Sequence, residues 1–152
     1  MDIFITQAAP EDAAEILALQ KLAFQSVAEL HEDPAIPPLT QTLDEIEKEF
    51  AGKAFLKAMA GGTIVGSVRG TLVAGTCLVG RLFVHPDFQG HGIGSRLLVE
   101  IEMLFPQAER FEVFTGAKSR DNIRLYRRLG YREFREEDQS PKVRLVFLAK
   151  TK

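Results

Sequence analysis

The segment Gln89-Gly90-His91-Gly92-Ile93-Gly94 constrains what this chain can fold into more than any other stretch. Ahead of it, Leu78 to His85 reads as a strand that Pro86-Asp87 ends. Behind it, Ile93, Leu97, Leu98, Ile101, Leu104 and Phe105 recur at helical spacing, with Arg96, Glu100 and Glu102 largely on the opposite face. A turn so rich in glycine has few side chains to shield its amides, and it can bend them towards one anionic point. The helix that follows adds unpaired N–H groups and the positive end of its dipole. The order strand, glycine turn, helix can therefore cradle a pyrophosphate. The alternative is a tight strand-to-helix turn with no ligand.

Spacing separates this loop from other phosphate loops. A P-loop requires Gly-x-x-x-x-Gly-Lys-Ser/Thr, and no lysine follows these glycines. The dinucleotide fingerprint requires Gly-x-Gly-x-x-Gly, but the chain runs Gly90-x-Gly92-x-Gly94, with Ser95 in the third required place. A Gly-x-Ser-x-Gly nucleophile elbow is absent as well.

The remaining elements suit a single mixed α/β domain over residues 1–152. Ile3 to Thr6 forms a short strand, and Pro10-Glu11-Asp12 opens a helix that buries Ile16, Leu17 and Leu19. Glu29 to Leu39, with three prolines, reads as a long loop. Thr42-Leu43-Asp44-Glu45 is a capping box for a second helix ending near Phe50. Ala54–Ala60 and 63–72 form a hairpin on Gly61-Gly62, and a turn at Gly75 extends it into a meander. Phe111 to Thr115 is the next strand, Ser119 caps a helix that Gly130 stops, and Tyr131–Phe134 and Val143–Leu148 are the last strands.

Hydrophobic residues make up 45% of the 152 and charged residues 26%, so a sizeable core can form. A net charge of −2 gives no general attraction to nucleic acid or anionic membrane. The single cysteine, Cys77, excludes an internal disulfide and any multi-cysteine metal site. No apolar run approaches the ~20 residues of a membrane span, and cytoplasmic residence is the default expectation.

Gln89, Gly92 and Gly94 fit a Gln-x-x-Gly-x-Gly pattern, and Asn122, Tyr126, Gly130 and Tyr131 fit Asn-x-x-x-Tyr-x-x-x-Gly-Tyr/Phe. In these two motifs, in their order and in the strand order along nearly the whole chain, the sequence resembles the GNAT acetyltransferase superfamily. The resemblance implies a central, mostly antiparallel sheet that splays between its fourth and fifth strands, with helices around it. It also implies acetyl-CoA as cosubstrate, no metal, and a small-molecule or peptide amine as acceptor, with a homodimer as an option. The pantetheine arm would pair with the backbone of Leu82, Phe83 and Val84, as an added strand does. Gln89, Gly90, His91, Gly92, Ile93, Gly94 and Ser95 would hold the pyrophosphate, and Asn122 would contact the coenzyme. His91 and Arg96 are candidates for extra positive charge, or else solvated surface side chains.

Tyr126 would protonate the departing thiolate, since its phenol follows Asn122 by one helical turn on the same face. The plainer reading packs it with Ile123 and Leu129 as a core aromatic. Where some family members carry a glutamate, this chain has Arg81, Phe83 and His85, so the base is unassigned. Water, Glu29, His31, Glu32 and Asp33 are the candidates. An acidic excess from Glu29 to Glu49 points to a cationic acceptor if that region borders the acceptor site. Two rival readings stay open: a non-catalytic coenzyme A-binding module, and a transferase that uses another acyl donor.

Overall fold

Strand β1 (Ile3–Gln7) begins the fold, and the computed structural model describes residues 2–152. Four helices follow before the sheet resumes: α1 (Ala13–Ala23), α2 (Gln25–Leu30), α3 (Pro37–Thr40) and α4 (Leu43–Glu49). The proline-bearing stretch is thus partly helical, correcting the expectation of a long loop. Its prolines do not prevent this, because the first turn of α3 requires no N–H from them. The capping box of α4 is present, with the Thr42 hydroxyl accepting from the Glu45 amide at 3.2 Å.

β2 (Ala54–Ala60), β3 (Thr63–Val73) and β4 (Thr76–Val84) form the expected antiparallel meander, with β1 on the outer edge of β2. Helix α5 (Ile93–Met103), β5 (Arg110–Gly116), α6 (Arg120–Arg128), β6 (Arg132–Ser140) and β7 (Val143–Thr151) complete the chain. The seven strands lie in the order β1-β2-β3-β4-β5-β7-β6.

Helices cover both faces of the sheet. On one, Ile93, Leu97, Leu98 and Ile101 of α5 are at most 2% exposed against Val65, Val68, Val79 and Phe111. Burial of each such side chain contributes about 1.5–3 kcal/mol. On the other, Ile16, Leu17 and Leu19 of α1 pack with Ile46, Phe55, Ile64 and Phe83. Glu102 is not left to solvent: it accepts from the Tyr131 hydroxyl at 2.6 Å and from Lys150 Nζ at 2.8 Å.

Strands β4 and β5 run parallel but pair only at Thr76–Arg110, Cys77–Phe111 and Leu78–Glu112. Beyond these, β4 continues along β3 to Val84 while β5 continues along β7 to Gly116, so the sheet opens into a V. The divergence has a local cause. Gly80 faces Arg69 and Phe83 faces Ser67, so Arg81 and Leu82 together oppose Val68 alone. An extra residue of this kind bends its strand and adds twist. Arg81 takes up the bend with φ +48°, a left-handed conformation uncommon for a side chain of its size.

Candidate active site

The glycine turn sits where β4 gives way to α5. Past Val84, the His85 amide donates to the Val65 carbonyl at 2.8 Å, and its ring Nδ1 accepts from the Asp87 amide at 3.0 Å. The Gln89 side-chain amide donates to the Val84 carbonyl at 3.2 Å, tying the loop back to the end of the strand. Gly90 and Gly92 have φ of +81° and +78°, so glycine is required at both for conformation rather than for space. The Arg96 amide, which bonds the Gly92 carbonyl at 3.1 Å, opens the helical ladder. The amides of Ile93, Gly94 and Ser95 precede it in the first turn, where a helix supplies no internal acceptor. A Cβ on Gly94 would meet Leu125 at 3.6 Å and Val84 at 3.9 Å, which is ordinary contact. His91 is exposed on this loop. Arg96 is committed elsewhere, donating to the Ile3 carbonyl at 3.2 Å.

From this loop the open V of the sheet leads into a cleft. Leu82, Asn122 and Tyr126 line it together with Arg81, Phe114, Thr115 and Gly116. Apolar side chains of the helices close the far side, among them Phe24, Val27 and Ile36. Val84 lies at the loop end of the gap, half-buried. The Phe83 side chain turns to the other face, 6% exposed, with its ring 5.9 Å from that of Phe24. Any part Phe83 plays in the cleft is therefore through its backbone. Asn122 is positioned by donating to the Thr115 hydroxyl at 3.3 Å.

The two tyrosines, Tyr126 in α6 and Tyr131 beyond its end, have different surroundings. Tyr131 is fully buried and its hydroxyl is spent on Glu102. Tyr126 is 5% exposed and also lines the cleft, so packing in the core does not remove it from that space. Burial pushes the Tyr126 phenol well above its usual range, which keeps it protonated. Ser119 stands at the start of α6 without capping it, and its Oγ is buried with no hydrogen-bond partner. Cys77 lies in the core with its thiol pushed up to about 11, chiefly by burial, so it is a poor nucleophile.

Of the candidate bases, only His31 reaches the cleft. It is 2% exposed, its Nδ1 lies 2.9 Å from the Val27 carbonyl, and its Nε2 lies 3.3 Å from the Lys118 amide. The neutral tautomer with hydrogen on Nδ1 satisfies both contacts and leaves no lone pair free. Its ring lies so close to Gly116 that any Cβ there would collide with it. The sequence carried no periodic signal for this pairing of α2 with the end of β5. Asp33 accepts from Ser140 and from the Ala35 amide, while Glu29 and Glu32 are exposed outside the cleft. The acidic excess does not border the cleft either. Glu49 turns inward to Arg69 at 3.3 Å and Lys53 at 3.5 Å, and Asp44 pairs with Lys48. Among the described residues, no group of three or more His, Cys, Asp or Glu is placed to hold a metal ion, and no helix is long and apolar enough to cross a membrane.

Comparison with known proteins agrees with this architecture. The family model for the acetyltransferase (GNAT) domain matches residues 51–133, more than half of the chain. Among curated proteins, none matches in sequence. Among solved structures, the fold is similar to a Thermoplasma acidophilum PaiA N-acetyltransferase in complex with coenzyme A (18% identity, TM-score 0.76, all of both chains covered). It is also similar to yncA from Salmonella typhimurium, solved with acetyl-CoA (19%, TM-score 0.75, 99% of this chain and 94% of that one). A third is the ribosomal-protein-alanine N-acetyltransferase of Brucella melitensis (20%, TM-score 0.77, 98% and 99%). At such identities the likeness speaks for the fold.

Proposed function

Since this chain belongs to the GNAT acetyltransferase family, we propose that it transfers an acetyl group from acetyl-CoA to a primary amine, by direct attack within a ternary complex. The observation that carries the reading is the V between β4 and β5, which has the glycine turn at one end and Tyr126 on its wall. Acetyl-CoA supplies an activated acyl group on a thiol leaving group.

In this reading the amides of the loop from Gln89 to Ser95 bind the pyrophosphate, and Gly90 and Gly92 hold the loop open for it. The backbone of Leu82, Phe83 and Val84, unpaired on the β5 side, takes the pantetheine amides as an added strand would. Asn122 contacts the coenzyme from the first turns of α6. A β4 amide near Phe83 or Val84 donates to the carbonyl oxygen as negative charge develops on it.

As nitrogen bonds to the acyl carbon and the carbon–sulfur bond breaks, the Tyr126 phenol gives its proton to the sulfur. The attacking nitrogen must lose a proton, and this loss restores the balance. Among the described residues no carboxylate lines the cleft and His31 has both ring nitrogens engaged, which supports water as the acceptor of that proton. A small molecule or a peptide can deliver the amine.

The test is release of free thiol from acetyl-CoA in the presence of a panel of amines, with product mass read in parallel. Amine-dependent release with a matching acetylated product is the expected result. Coenzyme binding without release for any amine would favour the non-catalytic module. Release from a longer acyl-CoA alone would reassign the donor.

A further inference from the structure

Beside the Tyr126 cleft lies a second hollow of about 130 Å³, bounded by Glu49, Lys53, Arg69, Leu78, Arg81 and Phe114 among others. Arg81 borders both spaces. Three cations meet one carboxylate here, and Glu49 is already committed to Arg69 and Lys53. Arg69 is 2% exposed; its Nε has no partner, but its terminal nitrogens donate to Gln20 at 2.5 Å, Gln41 at 3.2 Å and Glu49 at 3.3 Å, and the Phe55 ring lies 4.7 Å away. Arg81 has no such company. Its Nε is buried without a hydrogen-bond partner, and no ion pair reaches it among the described residues. A half-buried guanidinium with no contact ion pair, one that Glu49 reaches only at a distance, is costly, the more so beside a second one. The backbone strain at Arg81 adds to that cost.

The geometry points to Arg81, with Lys53 at the rim, as the subsite for a carboxylate carried by the amine acceptor. A carboxylate accepts two parallel bonds from a guanidinium, which an unpaired arginine bordering the cleft can supply. Phe24, Val27 and Ile36 across the cleft suit an apolar group on the same molecule. The acceptor class that fits is an apolar α-amino acid, with its nitrogen towards Tyr126 and its carboxylate on Arg81. This specificity rests on the acetyl-transfer reading; the anion subsite can be measured without turnover.

N-acetyl-phenylalanine and N-acetyl-phenylalaninamide are near-isosteric and differ in the charge at the tested end, with no titrating amine in either. Calorimetric titration of each into the protein, with and without coenzyme A, is expected to show the acid binding at least about tenfold tighter, by an amount that salt reduces. Arg81→Gly removes the guanidinium and relieves the left-handed backbone, so the variant keeps its fold while the preference falls to about twofold or less. Lys53→Gln reduces it by less. Equal affinities in the wild type, no binding of either compound, or a preference that survives Arg81→Gly would overturn the proposal. Preference for the acid without thiol release in the transfer assay would keep the subsite and reject acetyl transfer. Thiol release without preference would do the reverse.

Discussion

At the residue scale, one phenol carries the proposed proton transfer to sulfur. Tyr126 packs as a core aromatic, yet its ring borders the cleft while Tyr131 is consumed by Glu102. Tyr126→Phe removes one oxygen and leaves the ring, so packing is retained. The expected result is unchanged coenzyme affinity with turnover reduced by roughly 10²–10⁴, the range for a positioned general acid. Stopped assays of kcat beside a binding titration check it; wild-type turnover would return Tyr126 to packing alone. The helical spacing of Asn122, Ile123, Tyr126 and Leu129 placed the ring on a face, but spacing cannot tell a cleft wall from a core. That distinction depends on how far β5 leans from β4, and the bulge at Arg81, on a different element from Tyr126, sets the lean.

At the scale of elements, the glycine turn was legible because its chemistry is local. Positive φ at Gly90 and Gly92 follows from a tight turn into a helix, and both the strand before it and the helix after it announce themselves by period. Here Gly92 and Gly94 part company. Gly92→Val forces a β-branched residue to φ +78° and is expected to abolish coenzyme binding in a domain that remains folded. Gly94→Ala meets only ordinary contacts, so any loss of affinity there reports obstruction of the ligand itself. Titration of coenzyme A into both variants separates conformation from access. The contact between α2 and the end of β5 was not legible. His31 and Gly116 are far apart in sequence, and neither the prolines near His31 nor the strand pattern around Gly116 indicates the meeting. Gly116→Ala is expected to destabilise the domain by about 1–3 kcal/mol through overpacking against His31. A fall in Tm of several degrees would register it, and an unchanged Tm would show that α2 can move aside at little cost.

For the whole molecule, strand pairing was readable wherever a hairpin or alternating pattern imposed it, as in β2 and β3. The buried polar network was not. Arg69, Gln20, Gln41 and Glu49 look like surface residues in sequence, and their bonds span from eight to 49 positions. The same limit hid the unpaired state of Arg81, because an absent partner has no pattern. The bend at Arg81, the three-residue pairing of β4 with β5 and the position of the glycine turn form one mechanical arrangement. The bulge opens the sheet, the opening leaves β4 backbone unpaired, and the turn lies at its mouth. Hydrogen exchange with mass detection, with and without coenzyme A, tests that arrangement most directly. Slower exchange concentrated in Leu82 to Val84 and Gln89 to Ser95 is the predicted result. Binding that protects other segments and leaves both of these unchanged would contradict it.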